Sequence, residues 1–399
     1  MPAARGTPRI ARTCQALAKC LARGDFHGQV KMAQYRFVFV GTYTEPILFG
    51  TGQVLHGKGR GIHVFRFDVA SGALEPCCLA TGVRNPSYLA IHPSHRYLYA
   101  VNEHKEFEGR ASGAISAFTP DPESGRLTFI NQKATHGADP CYLAVTKTGD
   151  WVLVANFASG SVCVLPIRPD GSLGDASEVV QHQGRSIDPR RQAGPHAHAV
   201  TLDNQERFVF VPDLGLDKVM VYELDAAHGT LKPHAPPWTA VRPGAGPRQV
   251  VMHPGGRFAY LTNELNSTMT AFRYDGERGA LEEIQTLPTL PEEFEGHSSC
   301  AEVQISPGGD LLYGSNRGHD SLVVYAVDQN KGTLTRIGHV GTRGKIPRGF
   351  TVDPEGNWLI VANQDSDNLA VFRVDHGSGS LIPTGDPIDV PTPVCVKVL

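Results

Sequence analysis

The sequence lacks the features that mark membrane proteins and nucleic-acid-binding proteins. It has no run of apolar residues long enough to span a bilayer. Its 37 Lys and Arg residues are balanced by 40 Asp and Glu, which gives a formal net charge of −3, and the body of the chain has no basic cluster. Neither a membrane nor a nucleic acid is therefore an expected partner.

The short motifs of several common chemistries are also missing. There is no Gly-x-Ser-x-Gly nucleophile elbow, no phosphate-binding loop and no Trp-Asp signature of interaction propellers. The cysteines show no Cys-x-x-Cys spacing, so we expect neither a metal nor a cofactor. Structural thiols in a reducing compartment fit them best, which predicts a cytoplasmic protein. The eight positions are Cys14, Cys20, Cys77, Cys78, Cys141, Cys163, Cys300 and Cys395.

Residues 1–34 differ in composition from the rest of the chain. They are rich in Arg and Lys, contain no acidic residue before Asp25, and have no apolar core of the kind found in secretory signals. We expect an N-terminal extension that is either disordered or upstream of a true start at Met32. A transit-like peptide is the alternative that its composition allows.

A Gly-x-Leu step recurs seven times, at Leu-to-Leu spacings of 46 to 58 residues. Each copy follows a short polar run and predicts a tight hairpin, in which the glycine adopts a positive φ and the leucine begins the next strand. A period of this length is typical of propellers and repeat arrays. The glycines are Gly72, Gly125, Gly171, Gly229, Gly279, Gly332 and Gly379.

A second motif alternates with the hairpins: a proline, an apolar run, a polar turn and a second apolar run that ends in a polar pair. The runs are short and rich in Val, Ile, Tyr, Phe and Leu, which predicts strands. Each repeat therefore holds four strands, A to D from the proline onward. In one repeat these are residues 88–92, 97–102, 115–119 and 127–132. Four antiparallel strands repeated radially form a β-propeller.

Seven repeats of four strands predict an all-β fold, a seven-bladed β-propeller over residues 35–399. The first repeat lacks strand A and begins with a B-like strand at 35–41, whereas an A-like strand at 393–399 is left over. We expect this C-terminal strand to pair within the first blade and close the ring, which removes an open sheet edge. A β-sandwich would not explain a strand missing at one end and surplus at the other.

The fold predicts where a functional site should lie. Strands A and B are antiparallel neighbours and A is nearest the axis, so the start of A and the end of B meet at one mouth of the channel. The residues after the strand-A proline are Ser87, Cys141, His196, Arg248, Ala301, Arg348 and Val394; those ending strand B are Tyr43, Glu103, Phe157, Asp213, Glu264, Arg317 and Gln364. The penultimate residue of B, in contrast, is Asn in five copies, which indicates a scaffold hydrogen bond.

Polar residues at this mouth concentrate on three consecutive blades. His196 and His198 are two apart on a predicted strand and should share a face, and the positively charged loop 185–192 lies beside them in the sequence. A structural histidine pair would explain the two histidines, and a charge network in a water-filled channel would explain the charged residues. A functional site would explain why all of these residues lie at one mouth. The predicted catalytic residues are His196, His198, Arg248, Glu264 and Arg317; the predicted substrate-binding residues are Tyr43, Glu103, Arg191, Asp213, His319, Arg348 and Gln364. Several Arg beside a His favour an anionic ligand.

Several stretches resemble the propeller-type 6-phosphogluconolactonases. They are residues 40–44, 188–192, 195–199, 212–217, 246–248, 262–265, 315–321 and 361–367, so that the resemblance covers about 35–399. Pro-His-Ala-His at 195–198 and Ser-Asn-Arg-Gly-His-Asp-Ser at 315–321 are its most specific motifs. The resemblance implies metal-independent hydrolysis of 6-phospho-D-glucono-1,5-lactone to 6-phosphogluconate in the pentose phosphate pathway, by a monomer or homodimer.

The resemblance extends to the fungal carboxy-muconate lactonising enzymes, whose proposed site also uses a His, two Arg and a Glu. For hydrolysis, we expect His198 or His196 to activate water, Arg248 or Arg317 to stabilise the oxyanion, and another Arg to hold the phosphate. Two other functions stay open at this point. One is a muconate cycloisomerase or another lactonase, and the second is a propeller that binds a peptide or an anion without turnover.

Overall fold

Four-stranded antiparallel sheets recur seven times in the computed structural model, which describes residues 35–399. These residues form one compact unit, Tyr35–Leu399. Between residues 35 and 399 the structure contains no helix, and hence none that could cross a membrane. The predictions made for residues 1–34 lie outside the described residues.

The first three blades contain two inserted hairpins. Blade 1 and its insertion comprise β1 (Tyr35–Thr42), β2 (Pro46–Leu48), β3 (Val54–His56), β4 (Gly61–Asp68) and β5 (Leu74–Thr81). Blade 2 and its insertion comprise β6 (Leu89–Ile91), β7 (Leu98–Asn102), β8 (Glu106–Phe107), β9 (Arg110–Ala111), β10 (Ala114–Pro120) and β11 (Leu127–Ala134). Blade 3 comprises β12 (Pro140–Val145), β13 (Trp151–Asn156), β14 (Ser161–Pro166) and β15 (Glu178–Gln181).

The remaining four blades have no inserted strands. Blade 4 comprises β16 (Thr201–Leu202), β17 (Phe208–Asp213), β18 (Lys218–Asp225) and β19 (Thr230–Ala240). Blade 5 comprises β20 (Pro247–Met252), β21 (Phe258–Asn263), β22 (Thr268–Asp275) and β23 (Ala280–Pro288). Blade 6 comprises β24 (Ser299–Ile305), β25 (Leu311–Arg317), β26 (Ser321–Val327) and β27 (Leu334–Gly341). Blade 7 comprises β28 (Pro347–Val352), β29 (Trp358–Asn363), β30 (Asn368–Val374) and β31 (Leu381–Asp389), and β32 (Pro393–Val398) follows it.

The seven-bladed prediction and its closure are confirmed. The last strand, β32, pairs antiparallel with β1 from Val38↔Val398 to Thr42↔Pro393, and the first blade has the order β32-β1-β4-β5. It therefore supplies the missing strand A of blade 1. The inner strands of neighbouring blades contact one another and line the axis.

The core lies between blades rather than inside one sheet. One hydrophobic cluster joins Phe39 of blade 1, Tyr99 of blade 2 and Val152 of blade 3. Strand B of each blade is buried on both faces, because a neighbouring blade packs on each side; β21 and β29 are buried along their whole lengths. This is why these segments read as continuous apolar runs instead of alternating ones.

The repeated asparagine at the end of strand B has the scaffold role predicted for it. In four blades its Nδ2 donates a hydrogen bond to a backbone carbonyl 18 to 27 residues earlier in the chain. Asn263 donates instead to the hydroxyls of Thr268 and Thr270. The other four are Asn102, Asn156, Asn316 and Asn363. The bonds tie strand B to the chain segment that leads into the same blade.

Strand A of blade 4 is shorter than predicted. The regular strand begins only at Thr201, and before it Ala197 forms a single bridge to Asp213. Pro195 has no N–H to donate, and the N–H of His196 donates to the Asp213 carboxylate rather than to a strand. His196 and His198 therefore precede the strand that was predicted to hold them.

Candidate active site

A cavity of about 420 Å³ opens at the predicted mouth of the channel. Its wall is made from the residues that follow the strand-A prolines and those that end strand B, together with loop residues from blades 1 and 4. From the predicted set it contains Glu103, Arg191, His196, His198, Arg248, Glu264, Arg317, Arg348 and Gln364. Nine of the twelve predicted site residues thus line one cavity.

Glu264 is the centre of a cluster of three arginines. Its Oε1 accepts from Nη2 of Arg191 at 2.7 Å, and its Oε2 accepts from Nη1 of Arg248 at 2.5 Å. Nη2 of Arg317 lies 3.0 Å from the same Oε2. Three guanidinium groups around one carboxylate leave a local net charge of +2, so the cluster attracts an anion.

The backbone fixes two of these arginines in place. Nε of Arg248 donates to the carbonyl of Ala301 at 3.0 Å, and Nη2 of Arg317 donates to the carbonyl of Cys300 at 2.7 Å. Both carbonyls belong to β24, the inner strand of blade 6. The guanidinium planes are therefore held rigidly, which is what preorganised stabilisation of developing charge requires.

Backbone bulges aim the inner-strand residues into the cavity. In blades 3, 5 and 7 the pairing of strand A with strand B skips one residue after the proline, and the skipped residues are Cys141, Arg248 and Arg348. A β-bulge redirects the side chain of its extra residue and is frequent beside active sites. The same local irregularity thus presents one residue from each of three blades to the channel.

The charges of the cluster keep Glu264 ionised. Burial alone would raise the pKa of this carboxyl, but Arg317, Arg248 and Arg191 together hold it well below its usual range. The pKa of His198 is also lowered, first by burial and then by the charge of Arg248, to well below the ordinary value of an imidazole. For a histidine, however, a lowered pKa favours the uncharged form. His198 is therefore neutral.

The two histidines differ in whether Nε2 has a hydrogen-bond partner. Nη1 of Arg248 donates to Nε2 of His198, and a guanidinium cannot accept, so the proton of His198 resides on Nδ1. Nδ1 of His196 lies 3.0 Å from the carbonyl oxygen of Phe157, which can only accept. The proton of His196 therefore also resides on Nδ1, and its Nε2 lone pair is free of any hydrogen bond from residues 35–399.

A second polar group lies across the channel on blades 1, 2 and 7. The hydroxyl of Tyr43 donates to Oε2 of Glu103 at 2.9 Å, and the guanidinium of Arg348 sits 5.2 Å from the centre of the Tyr43 ring. Burial raises the pKa of Glu103, and Arg348 opposes that rise. The cavity thus has a strongly cationic side on blades 4 to 6 and a more acidic side opposite.

The family of the chain follows from comparison with known sequences. The family described as "Lactonase, 7-bladed beta-propeller" matches residues 37–398, nearly the whole described part. A 6-phosphogluconolactonase of Bacillus subtilis is 34% identical over 362 residues, which is 90% of this chain and 97% of that protein. The chain belongs to the seven-bladed β-propeller lactonase family.

Other members of the lactonase family agree in sequence and in structure. A 6-phosphogluconolactonase of Formosa agariphila is 31% identical over 319 residues, 79% of this chain and 86% of that protein. The structure of a periplasmic gluconolactonase of Pseudomonas aeruginosa has a TM-score of 0.84 and 36% identity, and covers 92% of this chain and 99% of that one. The sequence resemblance to lactonases is thereby confirmed.

Three predicted site residues do not line the cavity of this lactonase-family propeller. Tyr43 lies behind Glu103 and is fully buried. Asp213 is also fully buried, and its Oδ1 accepts from the N–H of His196 at 2.7 Å. His319 bonds to the hydroxyl of Ser321 at 2.6 Å. The first two support cavity residues, whereas His319 belongs to a neighbouring aromatic contact.

Sequence reasoning missed three charged residues and a roof in this lactonase-family cavity. The charged residues are Lys105, Asp139 and Asp365. Asp139 comes directly before the proline of β12, whereas the prediction took the residue after each proline. The hairpin β2–β3 covers the mouth with Leu48, Phe49 and Leu55. Loop length at 44–61 was the only sequence signal for this roof.

The hairpin spans the mouth from one side to the other. The ring of Phe49 packs 4.9 Å from the Arg348 guanidinium, on the side of blade 7. At the tip, a carbon added as a side chain at Gly50 would be in ordinary van der Waals contact with the ring of Phe157, at 3.4 Å, and with Arg191, at 3.6 Å, so the tip lies close to both residues. The roof limits the access of water to the charged cluster in this lactonase family member, which strengthens its electrostatic interactions.

Proposed function

We propose that this protein hydrolyses 6-phospho-D-glucono-1,5-lactone to 6-phosphogluconate. The observation that carries the proposal is the cluster of three arginines around Glu264, with a local charge of +2, in one roofed cavity with His196. The family of the chain and the activity named for its relatives point to the same reaction class.

His196 is the general base in this mechanism. Its Nδ1–H bond to Phe157 and the bond from its own N–H to Asp213 fix the ring and leave the Nε2 lone pair toward the cavity. Nε2 removes a proton from water while the oxygen attacks the lactone carbonyl. His198 is less suited to this step, because its Nε2 already accepts from Arg248.

The arginines stabilise the negative charge that forms on the carbonyl oxygen. Arg248 and Arg317 are held by backbone carbonyls and by Glu264, so their donors need no reorganisation as the oxyanion develops. Arg191 comes from a loop at the rim and takes the phosphate of the substrate. Glu264 orients all three guanidinium groups.

The test is a coupled assay with freshly generated lactone. Product is measured with 6-phosphogluconate dehydrogenase, and the rate of spontaneous hydrolysis is subtracted. We expect acceleration by the wild-type protein, at least a 100-fold loss in Arg248→Ala, and full activity in the control Arg273→Ala, whose guanidinium pairs with Glu282 on the surface. A wild-type rate equal to the background would overturn the proposal.

A parallel assay addresses the identity of the anion. Unphosphorylated gluconolactone and a carboxy-muconate are offered under the same conditions. The cationic cluster predicts a kcat/KM for the phosphorylated lactone at least tenfold above that for the unphosphorylated one, since a charge-assisted hydrogen bond contributes about 1.5–3 kcal/mol. Turnover of the muconate alone would favour a cycloisomerase instead.

We further propose that the reaction takes place in the pentose phosphate pathway of the cytoplasm. All six cysteines of the described part are free thiols, as expected for a reducing compartment. Thiol labelling of the protein in intact cells checks this location. The oligomeric state, monomer or homodimer, is open to measurement by light scattering.

A further inference from the structure

Asp139 has a backbone conformation fixed by its neighbours. It lies directly before β12 with a φ of 52°, in the left-handed region that is unfavourable for most side chains. Its N–H donates to the carbonyl of His104 at 3.1 Å, and its own carbonyl accepts from the N–H of Phe157 at 2.9 Å. These bonds hold the residue at the cavity wall.

The carboxyl group of Asp139 is buried without an arginine partner. Its side chain is 7% exposed, and Nζ of Lys105 is 3.7 Å away. The other ionisable groups that interact with it are Glu103 and the thiol of Cys141. Burial and, to a smaller extent, the charge of Glu103 raise the pKa of Asp139 to about 7, even though Lys105 acts in the opposite direction.

Asp139 and His196 lie on either side of a single residue. The N–H of Phe157 donates to the carbonyl of Asp139, and the carbonyl of Phe157 accepts from the ring of His196. Both side chains line the same cavity. A carboxyl group that can hold a proton therefore lines the same cavity as a histidine with a free lone pair, and Glu264 in that cavity is kept ionised by arginines. Such separation of neighbouring titratable groups marks acid and base roles.

We propose that Asp139 is the proton donor to the ring oxygen that leaves when the lactone opens. This inference rests on the proposed lactone hydrolysis. Water gives its hydroxyl to the carbonyl carbon and a proton to His196, and collapse of the tetrahedral intermediate breaks the bond between that carbon and the ring oxygen. Asp139 gives its proton to this oxygen, which becomes the free hydroxyl of the product.

Proton balance closes on the same two residues. The new carboxylic acid releases its proton, so that the overall reaction is lactone plus water to hydroxycarboxylate plus one proton. Asp139 regains a proton from His196 or from solvent, and His196 returns to its neutral form. Each residue therefore has one role in the forward reaction: His196 is the base and Asp139 is the acid. In the alternative mechanism, one histidine would first remove the proton from water and then donate it to the ring oxygen.

The experiment is the pH dependence of kcat/KM for wild type and Asp139→Asn, corrected for spontaneous hydrolysis. The acid must be protonated, so we expect the wild-type rate to fall as pH rises above about 7. Asp139→Asn should lose about 100-fold in rate. Its profile should also lack the fall in rate at high pH, which is the basic limb of the wild-type profile. The control Asp386→Asn, at an exposed carboxylate outside the cavity, should keep the wild-type profile.

Two neighbouring variants should move the limb in opposite directions. Lys105→Met removes the cation that favours ionisation and should shift the basic limb to higher pH. Glu103→Gln removes the neighbouring negative charge and should shift it to lower pH. A residue with a purely structural role would not produce this pair of shifts.

An infrared difference spectrum gives a readout that does not need turnover. Wild type minus Asp139→Asn at neutral pH should show the carbonyl stretch of a protonated carboxyl group. An active Asp139→Asn protein with an unchanged basic limb, or the absence of this band, would overturn the role of Asp139. Absence of wild-type turnover would overturn the proposed function itself.

Discussion

The ring of His196 donates a hydrogen bond from Nδ1 to the carbonyl oxygen of Phe157 at 3.0 Å. The two rings also stack, with centroids 4.6 Å apart and an angle of 18° between their planes. Together these contacts fix both the tautomer and the plane of the imidazole. Its neighbour His198 has the same tautomer, but its second nitrogen is occupied by Arg248.

The two histidines should therefore respond differently to substitution. We expect His196→Ala to lose 100-fold or more in kcat, since it removes the general base. His198→Asn should lose less, because it removes a contact of Arg248 and leaves the base in place. Steady-state kinetics of the two proteins decide the point, and a larger loss in the His198 variant would assign the base to that residue.

Asp213 should act through His196 and not through the substrate. Its Oδ1 accepts from the N–H groups of His196 and Gly215, and its Oδ2 lies 2.6 Å from Nδ1 of His182. Asp213→Ala should lower kcat with little change in KM and should destabilise the fold by about 1.5–3 kcal/mol for the lost charged hydrogen bond.

The conservative variant separates position from charge at this residue. Asp213→Asn keeps an oxygen that can accept from His196, so kcat should be largely restored relative to Asp213→Ala. Kinetics and urea denaturation of both proteins provide the check. A rise in KM with unchanged kcat would instead place Asp213 in contact with substrate.

Removal of the Glu264 carboxylate should destabilise the protein. Glu264→Gln leaves three guanidinium groups around a neutral amide, and the loss of one partner from a buried ion pair costs about 3–5 kcal/mol. Urea denaturation at neutral pH measures the difference from wild type. Glu282→Gln, which removes an exposed partner of Arg273, is the control and should change stability by less than about 1 kcal/mol.

The stability difference between wild type and Glu264→Gln should depend on pH in one direction. The folded-state pKa of Glu264 is depressed, so its contribution is fully present above the unfolded value of about 4.3. The difference should shrink as pH falls from there through the depressed folded value. A difference that grew toward acid would contradict the charge assignment in the cluster.

Arg191 should govern the preference for a phosphorylated substrate. It is the cluster arginine that comes from a loop, and its side chain is 16% exposed. Arg191→Ala should raise KM for the phosphorylated lactone about tenfold or more and affect the unphosphorylated lactone much less.

Salt provides an independent check on this electrostatic role. Added salt should lower kcat/KM for the phosphorylated lactone in wild type, because it screens the attraction between the cluster and the substrate. The effect should be weaker in Arg191→Ala. Equal losses on both substrates would show that Arg191 has no part in phosphate recognition.

The architecture could be predicted from the sequence because one unit is repeated seven times. Every hairpin glycine lies at a positive φ, from 59° at Gly279 to 79° at Gly171, and the strands follow the predicted spacing. A pattern sampled seven times is robust against error in any single copy. The mouth was predictable for the same reason, because topology alone decides which ends of strands A and B meet.

The details of the site depend on contacts that no repeat encodes. The tautomer of His196 and the ion pair of the buried Asp139 with Lys105 arise from single non-local contacts between blades. His319 follows Arg317 closely in the sequence, yet the turn after β25 directs it toward Phe294. Proximity in sequence was therefore a poor guide to proximity in the cavity.

Closure of the ring by β32 has a consequence during synthesis. The partner edge of β1 emerges from the ribosome about 350 residues before β32 does, a delay of roughly 20 to 70 seconds at ordinary translation rates. Throughout that time one edge of the largely apolar β1 has no partner strand, and such an edge can associate with other chains. Chaperone occupancy early in translation is therefore expected to concentrate on the first blade.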